Sequence, residues 1–184
     1  MTEKEKREMG LEYYSSDPEI AREHYECEDK CFELNNTRPS DLETKKKILK
    51  TILGKMGERI IVRTPFWCAY GYNVEVGDNF VVNHGCVMID TAKITFGDNV
   101  FIGPSCGFYT AIHPFDPQKR ATFLETAKPV RVGNNVWFAS AVHVLPGVTI
   151  GNNVVIGAGS LVASDIPDNV LAYGNPCRVI RQIV

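Results

Sequence analysis

A chain of 184 residues with a formal net charge of −2 fits one domain and offers no basic field for nucleic acid. No apolar run approaches membrane-spanning length, and the charged stretch from Met1 to Gly10 lacks the apolar core of a signal peptide, so a cytoplasmic protein is expected. In that compartment the six cysteines, none of them in a CxxC pair, are expected to stay reduced.

The N-terminal quarter reads as helical. Ser16-Asp17-Pro18 looks like a cap and first turn for a helix running toward Leu34, with Ile20, Cys27, Cys31 and Leu34 as its apolar stripe. His24, Cys27 and Cys31 could share a helix face as metal ligands. Small buried thiols are the plainer reading of that spacing. Asn35 to Pro39 breaks the pattern. Ser40-Asp41-Leu42-Glu43 then reads as a capping box for a second helix, with Leu42, Ile48, Leu49, Ile52 and Leu53 inside and Gly54 as the stop.

Beyond these helices the sequence repeats every six residues. Val132, Phe138, Val144, Ile150, Ile156 and Val162 are all apolar, and a small residue follows each except Val144, which precedes Leu145. Four residues after each of the first five stand Val136, Val142, Val148, Val154 and Ser160. A short fixed period rich in Val and Ile predicts a β-solenoid in which each hexad is one strand and one turn, and three hexads close a triangular coil. Gly-Asp-Asn or Gly-Asn-Asn recurs at Gly77, Gly97, Gly133 and Gly151, residue types that tolerate positive φ at a corner. From Gly77 to Gly97 is twenty residues, and from Gly133 to Gly151 eighteen, which predicts a bulge near Asp90-Thr91-Ala92.

The repeat stops at Thr110 and resumes at Val130. The intervening Ala111-Ile112-His113-Pro114-Phe115-Asp116-Pro117 has no solenoid period, so a loop is expected to project from one face, and such excursions are usually functional. Of four histidines, His113 alone stands in a suggestive setting, at the base of that loop. An imidazole is the natural general base for a hydroxyl at neutral pH. His84 and His143 read as structural. No thiol–imidazole arrangement suggests covalent catalysis, and no phosphate-cradling glycine loop is present.

The hexads, together with Tyr109-Thr110-Ala111-Ile112-His113-Pro114, Gly133-Asn134-Asn135-Val136-Trp137, Pro146-Gly147-Val148 and Gly174-Asn175-Pro176-Cys177-Arg178, resemble the hexapeptide-repeat acyltransferases. More narrowly, the opening Thr2-Glu3-Lys4-Glu5-Lys6, Tyr13, Asp17, Phe66-Trp67-Cys68-Ala69-Tyr70-Gly71-Tyr72-Asn73 and Lys128-Pro129 resemble the maltose and galactoside O-acetyltransferases. The likeness covers essentially the whole chain. It implies a mainly β protein: a left-handed parallel β-helix over residues 58–184, preceded by two short helices within 1–57 and interrupted by an active-site loop at about 111–129. It implies a homotrimer with active sites between subunits and direct, metal-free transfer from acetyl-CoA to a sugar hydroxyl.

On this resemblance His113 is the catalytic base and Asn83 lies near base and acceptor. Asp17, Asp90 and Glu125 fall on acceptor-side positions. The Glu125 carboxylate could accept a sugar hydroxyl or orient the imidazole. Trp137, Ala139, Ser140 and Ala158 would line the pantetheine groove, although ordinary packing also accounts for Trp137. Arg178 and Arg181 are candidates for the CoA phosphates, since a guanidinium fork matches phosphate. The chain departs from the family at Ser164, where a lysine is usual, and at Phe138-Ala139-Ser140. It departs again at Ala121-Thr122-Phe123-Leu124, which replaces a polar stretch and makes the acceptor pocket more apolar. A non-sugar hydroxyl, as in an antibiotic or a serine-type acceptor, is the alternative substrate, and a non-catalytic binding module is the alternative role.

Overall fold

The computed structural model describes residues 1–183. Three helices precede the solenoid: α1 (Glu3–Glu8), α2 (Pro18–Asn36) and α3 (Leu42–Ile52). Sequence periodicity predicts only the last two, because α1 has no apolar stripe. Its ends make it helical instead. The Thr2 hydroxyl accepts from Glu5 N while the Glu5 carboxylate accepts from Thr2 N. Asp17 caps α2 as expected, with Pro18 following, and the predicted stripe of Ile20, Cys27, Cys31 and Leu34 is buried. His24 stands apart from the two buried thiols and packs on the Tyr70 ring, with centroids 5.7 Å apart. All six cysteines are buried and free.

In α3 the cap is Asp41 rather than Ser40, with its carboxylate accepting from Thr44 N. Leu49, Ile52 and Leu53 are buried, but Leu42, in the first turn of α3, is 70% exposed. Gly54 is required for close approach and not for a left-handed stop. A Cβ there would sit 2.0 Å from the Tyr72 carbonyl oxygen of the next coil. The first solenoid strand, Lys55–Met56, follows directly, inside the segment assigned to the helices.

Three parallel faces form the prism. The first stacks Lys55–Met56, Val74–Val76, Ile94–Phe96, Val130–Val132 and Thr149–Ile150. The second stacks Ile61–Val62, Val81–Val82, Phe101–Ile102, Val136–Phe138, Val154–Ile156 and Val170–Gly174, and an antiparallel strand, Cys177–Gln182, closes it. The third stacks Phe66–Cys68, Cys86–Ile89, Gly107–Tyr109, His143–Val144 and Leu161–Val162. The six hexad residues from Val132 to Val162 point inward and are no more than 5% exposed. Burying each such side chain contributes about 1.5–3 kcal/mol. Phe80, Phe96, Phe108 and Phe138 continue this core as tilted and edge-on neighbours at 5.0–5.2 Å.

The corners are ordered by side-chain ladders. Asn79, Asn99, Asn135, Asn153 and Asn169 all have positive φ (54–63°). The Nδ2 of each of the first four donates to the Oδ1 of the next at 2.8–3.0 Å. The preceding residues, Asp78, Asp98, Asn134, Asn152 and Asp168, each accept a backbone N–H from the coil before at 2.7–2.9 Å. A second left-handed column runs through Gly85, Ser105, Ala141 and Gly159.

The predicted bulge and loop lie where the spacing puts them. At the bulge Asp90 turns inward, accepting from Ala69 N and Tyr70 N, both at 2.9 Å. The loop leaves the coil after Thr110 as a hairpin, Ala111–Ile112 against Leu124–Ala127, with the short helix α4 (Pro117–Arg120) between them. Tyr13–Tyr14 adds a third antiparallel strand and pairs Tyr13 with Glu125 and Tyr14 with Leu124. The N-terminus is thereby sewn onto the loop.

Candidate active site

The third face, the bulge, α2 and the loop enclose a cavity of about 500 Å³ that holds both His113 and Glu125. His113 is the last residue before Pro114 turns the chain out, and its side chain is 57% exposed. Its Nδ1 lies 3.7 Å from Glu125 Oε1, within ion-pair reach. The other oxygen, Oε2, accepts a 2.6 Å hydrogen bond from the Tyr13 hydroxyl. Tyr13 is fully buried, and that burial, reinforced by the bond to Glu125, raises its pKa, so the phenol stays protonated and donating. The 3.7 Å separation of Nδ1 from Glu125 is longer than a hydrogen bond, but the nearby negative charge favours a proton on Nδ1, the tautomer that leaves the Nε2 lone pair free to take a proton. An imidazole so oriented, in an open cavity, can act as a general base toward a hydroxyl.

The cavity wall is tied to the N-terminus a second time. Tyr70 forms part of it, and the buried Arg7 guanidinium of α1 stacks over the Tyr70 ring at 4.4 Å. Arg7 also donates to the Tyr72 hydroxyl and to Glu23. Phe123 stands at φ +62° and contributes an apolar, 63% exposed ring to the same cavity.

Two acceptor-side expectations take a different place. Asp90 is fully buried beneath the site, with Oδ1 on two backbone N–H groups and Oδ2 buried without a partner, so it has no surface for a ligand; its neighbour Thr91 lines the cavity instead. Asp17 Oδ1 accepts from Glu19 N (3.0 Å) and Ile20 N (3.4 Å) as the α2 cap, and from this segment Ser15 and Ile20 reach the cavity. Sequence reading also passed over Tyr13 as the partner of Glu125. Its antiparallel pairing across the chain leaves no local signal.

Asn83 is not with His113. Residue 87 pairs with residue 107 across the third face; Asn83 precedes that rung and His113 follows it, so they stand at opposite ends of the face. Asn83 instead begins an edge. The Asn83 amide donates to Ile102 O, Gly103 to Phe138 O, Ala139 to Ile156 O and Gly157 to Ala172 O, which stacks these four residues in register. Ser140 and Ala158 follow along the same edge, where the Gly159 amide donates to Ser140 O. Trp137 lies just before it on the outside of the second face, 54% exposed, in one rung with Phe101, Val155 and Leu171. Arg181 pairs with Leu171 and so ends this rung, roughly 14 Å from Trp137 at ordinary strand spacing; Arg178 pairs with Tyr173. Both guanidiniums are exposed. The register thus places an exposed aromatic, a row of small residues and two terminal cations on and beside one face.

Known proteins share this fold. The maltose acetyltransferase hexapeptide capping motif matches residues 9–57, and the bacterial transferase hexapeptide (six repeats) matches residues 129–164. A putative acetyltransferase of Saccharomyces cerevisiae is 47% identical over 167 residues, 91% of this chain and 85% of the yeast protein. A crystal structure of a maltose O-acetyltransferase from Clostridium difficile 630 superposes with a TM-score of 0.98 at 46% identity, over 100% of this chain and 98% of that one. The chain belongs to the hexapeptide-repeat acetyltransferases, in the maltose and galactoside O-acetyltransferase branch. A galactoside acetyltransferase solved in complex with coenzyme A matches all of this acetyltransferase and 92% of its own chain, with a TM-score of 0.96 at 36% identity. The resemblance drawn from the hexads and the histidine loop is therefore shown at the level of family, fold and acyltransferase class.

Proposed function

We propose that this acetyltransferase moves an acetyl group from acetyl-CoA to a sugar hydroxyl, with His113 as general base and both substrates bound together. His113 Nε2 takes the hydroxyl proton as the oxygen attacks the thioester carbonyl. The carbon–sulfur bond then breaks, and the departing thiolate takes the proton back from the imidazolium. Glu125, held by Tyr13, orients the imidazole and stabilises its charged form. Trp137 and the Ala139-Ser140-Ala158 edge take the pantetheine, and Arg178 and Arg181 take the phosphates. The observation that carries this reading is the exposed imidazole of His113 backed by a carboxylate whose other oxygen is already engaged.

Asn83 and the cofactor edge lie across the face from His113, so a site using both draws them from two chains. This supports a homotrimer of 20.5 kDa subunits with active sites between neighbours. The six free thiols suit a reducing compartment, and we place the enzyme in the cytoplasm. The Phe123 ring, with Tyr70, Ile20 and Ile89, favours an acceptor carrying an apolar group beside its reacting hydroxyl, a glycoside with an apolar aglycone or a non-sugar alcohol.

The test is CoA release from acetyl-CoA across a panel of free sugars, alkyl and aryl glycosides and simple alcohols, with His113→Ala alongside. Acceptor-stimulated release that falls by about 10²–10⁴-fold in the variant is expected. Release indifferent to His113 removes the base. Full activity in a species that sediments as a monomer removes the shared site.

A further inference from the structure

A second cavity, about 550 Å³, lies at the capped end of the prism between α3 and the first coil. Nothing in the transfer chemistry uses it. Lys45, Lys46, Arg59 and Arg63 stand around it against one carboxylate, Glu43, in a chain whose net charge is −2. Among the described residues none of the four cations has an ion-pair partner within 4 Å, although lysines elsewhere, such as Lys4 and Lys93, do.

Lys45 is the informative one. It occupies the inner face of α3, one turn before buried Leu49, where the amphipathic pattern calls for an apolar side chain. It is only 7% exposed, and its ammonium makes one long hydrogen bond, 3.4 Å to Thr64 Oγ1. An ammonium on a side chain so deeply packed, with a single long bond to a neutral partner, has donors to spare, and an anion in the cavity would satisfy them. Leu49, Met56, Ile60 and Val62 supply an apolar wall beside it. The volume suits a small organic molecule, and a bare inorganic ion would leave most of it empty.

We infer that this cavity binds a small amphipathic anion, its oxyanion head on Lys45 and its apolar body against Leu49, Met56 and Ile60. The head is a carboxylate or a phosphate, and the probes separate the two. Octanoate, octyl phosphate, octanol and inorganic phosphate are titrated into the full-length protein by calorimetry at low ionic strength. One or both octyl anions are expected to bind at least tenfold more tightly than octanol and than inorganic phosphate, and the tighter one names the head. Lys45→Met is expected to remove that preference, to leave acetyl transfer unchanged and to melt at a higher temperature than the unliganded wild type, because it deletes an unpaired buried cation. Arg63→Gln, an exposed change that leaves the core untouched, is expected to weaken the anion about threefold.

Octanol binding as tightly as the anions would overturn the inference, as would inorganic phosphate matching octyl phosphate. Unaltered anion binding in Lys45→Met would do the same. So would a change in oligomeric mass in Lys45→Met, since the cavity would then be a contact between copies of the chain.

Discussion

Tyr13 and Glu125 are 112 positions apart in the chain, yet the phenol of one donates to the carboxylate of the other at 2.6 Å. The bond joins the N-terminal strand to the loop that carries His113, so the geometry behind the imidazole depends on a residue far from it in sequence. Tyr13→Phe keeps the ring and the strand pairing and removes only the donor. A hydrogen bond to a charged group is worth about 1.5–3 kcal/mol, so kcat is expected to fall about tenfold or more while KM for acetyl-CoA holds. Steady-state kinetics with both substrates varied makes the distinction. A rise in acceptor KM at constant kcat would reduce Tyr13 to a roof over the pocket.

Glu125→Gln probes the charge separately from the shape. The amide oxygen can still accept from Tyr13, but a neutral group then faces His113 Nδ1, where the carboxylate oxygen now lies 3.7 Å away. If the carboxylate stabilises the imidazolium, kcat is expected to drop more in Glu125→Gln than in Tyr13→Phe. The double variant should lose less than the sum of the two, because both act through one unit. If Glu125 binds the acceptor directly, the loss appears in acceptor KM.

The asparagine ladder makes a claim about stability. Asn135 donates to Asn153 Oδ1 at 3.0 Å, accepts from Asn99 Nδ2 at 2.9 Å and holds φ at +57°. Each hydrogen bond is worth about 1 kcal/mol, and an alanine in the left-handed region costs about 1–2 kcal/mol more. Asn135→Gly removes the ladder contacts and tolerates the backbone, whereas Asn135→Ala loses on both counts. Thermal unfolding at one protein concentration is expected to rank wild type above Asn135→Gly and Asn135→Ala last. Equal losses would mean that the ladder, and not the corner conformation, sets the residue choice.

The solenoid was legible in the sequence because every hexad makes the same statement; one substitution such as Leu145 cannot hide the period. The loop was legible as a loss of that period, bounded by Thr110 and Val130. What lay outside reach was non-local or depended on parity. A two-residue strand at Tyr13–Tyr14 has no periodicity, and its partner is on the far side of the chain. Near Asp90 the coil carries extra residues, and a bulge changes which side chain faces inward. Family likeness put Asp90 on the acceptor, while the fold turns it under Ala69 and Tyr70 and leaves Thr91 in the cavity wall. Helix α1 was invisible to an apolar-stripe search because one buried arginine, Arg7, docks it.

The buried place of Asp90 carries its own pH signature. Burial pushes its carboxyl up to about 6, although the Tyr70 and Ala69 amides bonded to it pull the other way. In the unfolded chain it titrates near its ordinary value of about 3.9. Between those two points the native state holds a proton that the unfolded chain has released. This contribution is therefore fully present at low pH and is lost as pH rises from about 4 through 6. Asp90→Asn keeps an oxygen for the two N–H donors and cannot ionise. The stability of wild type relative to this variant is expected to fall by about 2–3 kcal/mol between pH 4 and pH 7, since one pKa unit corresponds to about 1.4 kcal/mol. At about 2–4 °C per kcal/mol for a chain of this size, melting curves of the two proteins should converge or cross by several degrees over that range. Taking the difference cancels the carboxylates whose pKa is lowered, such as Glu23 and Asp41, which lose stability in the opposite direction as pH falls. A difference that stays flat with pH would mean that Asp90 titrates as an accessible carboxylate, and it would return this residue to the acceptor side of the site.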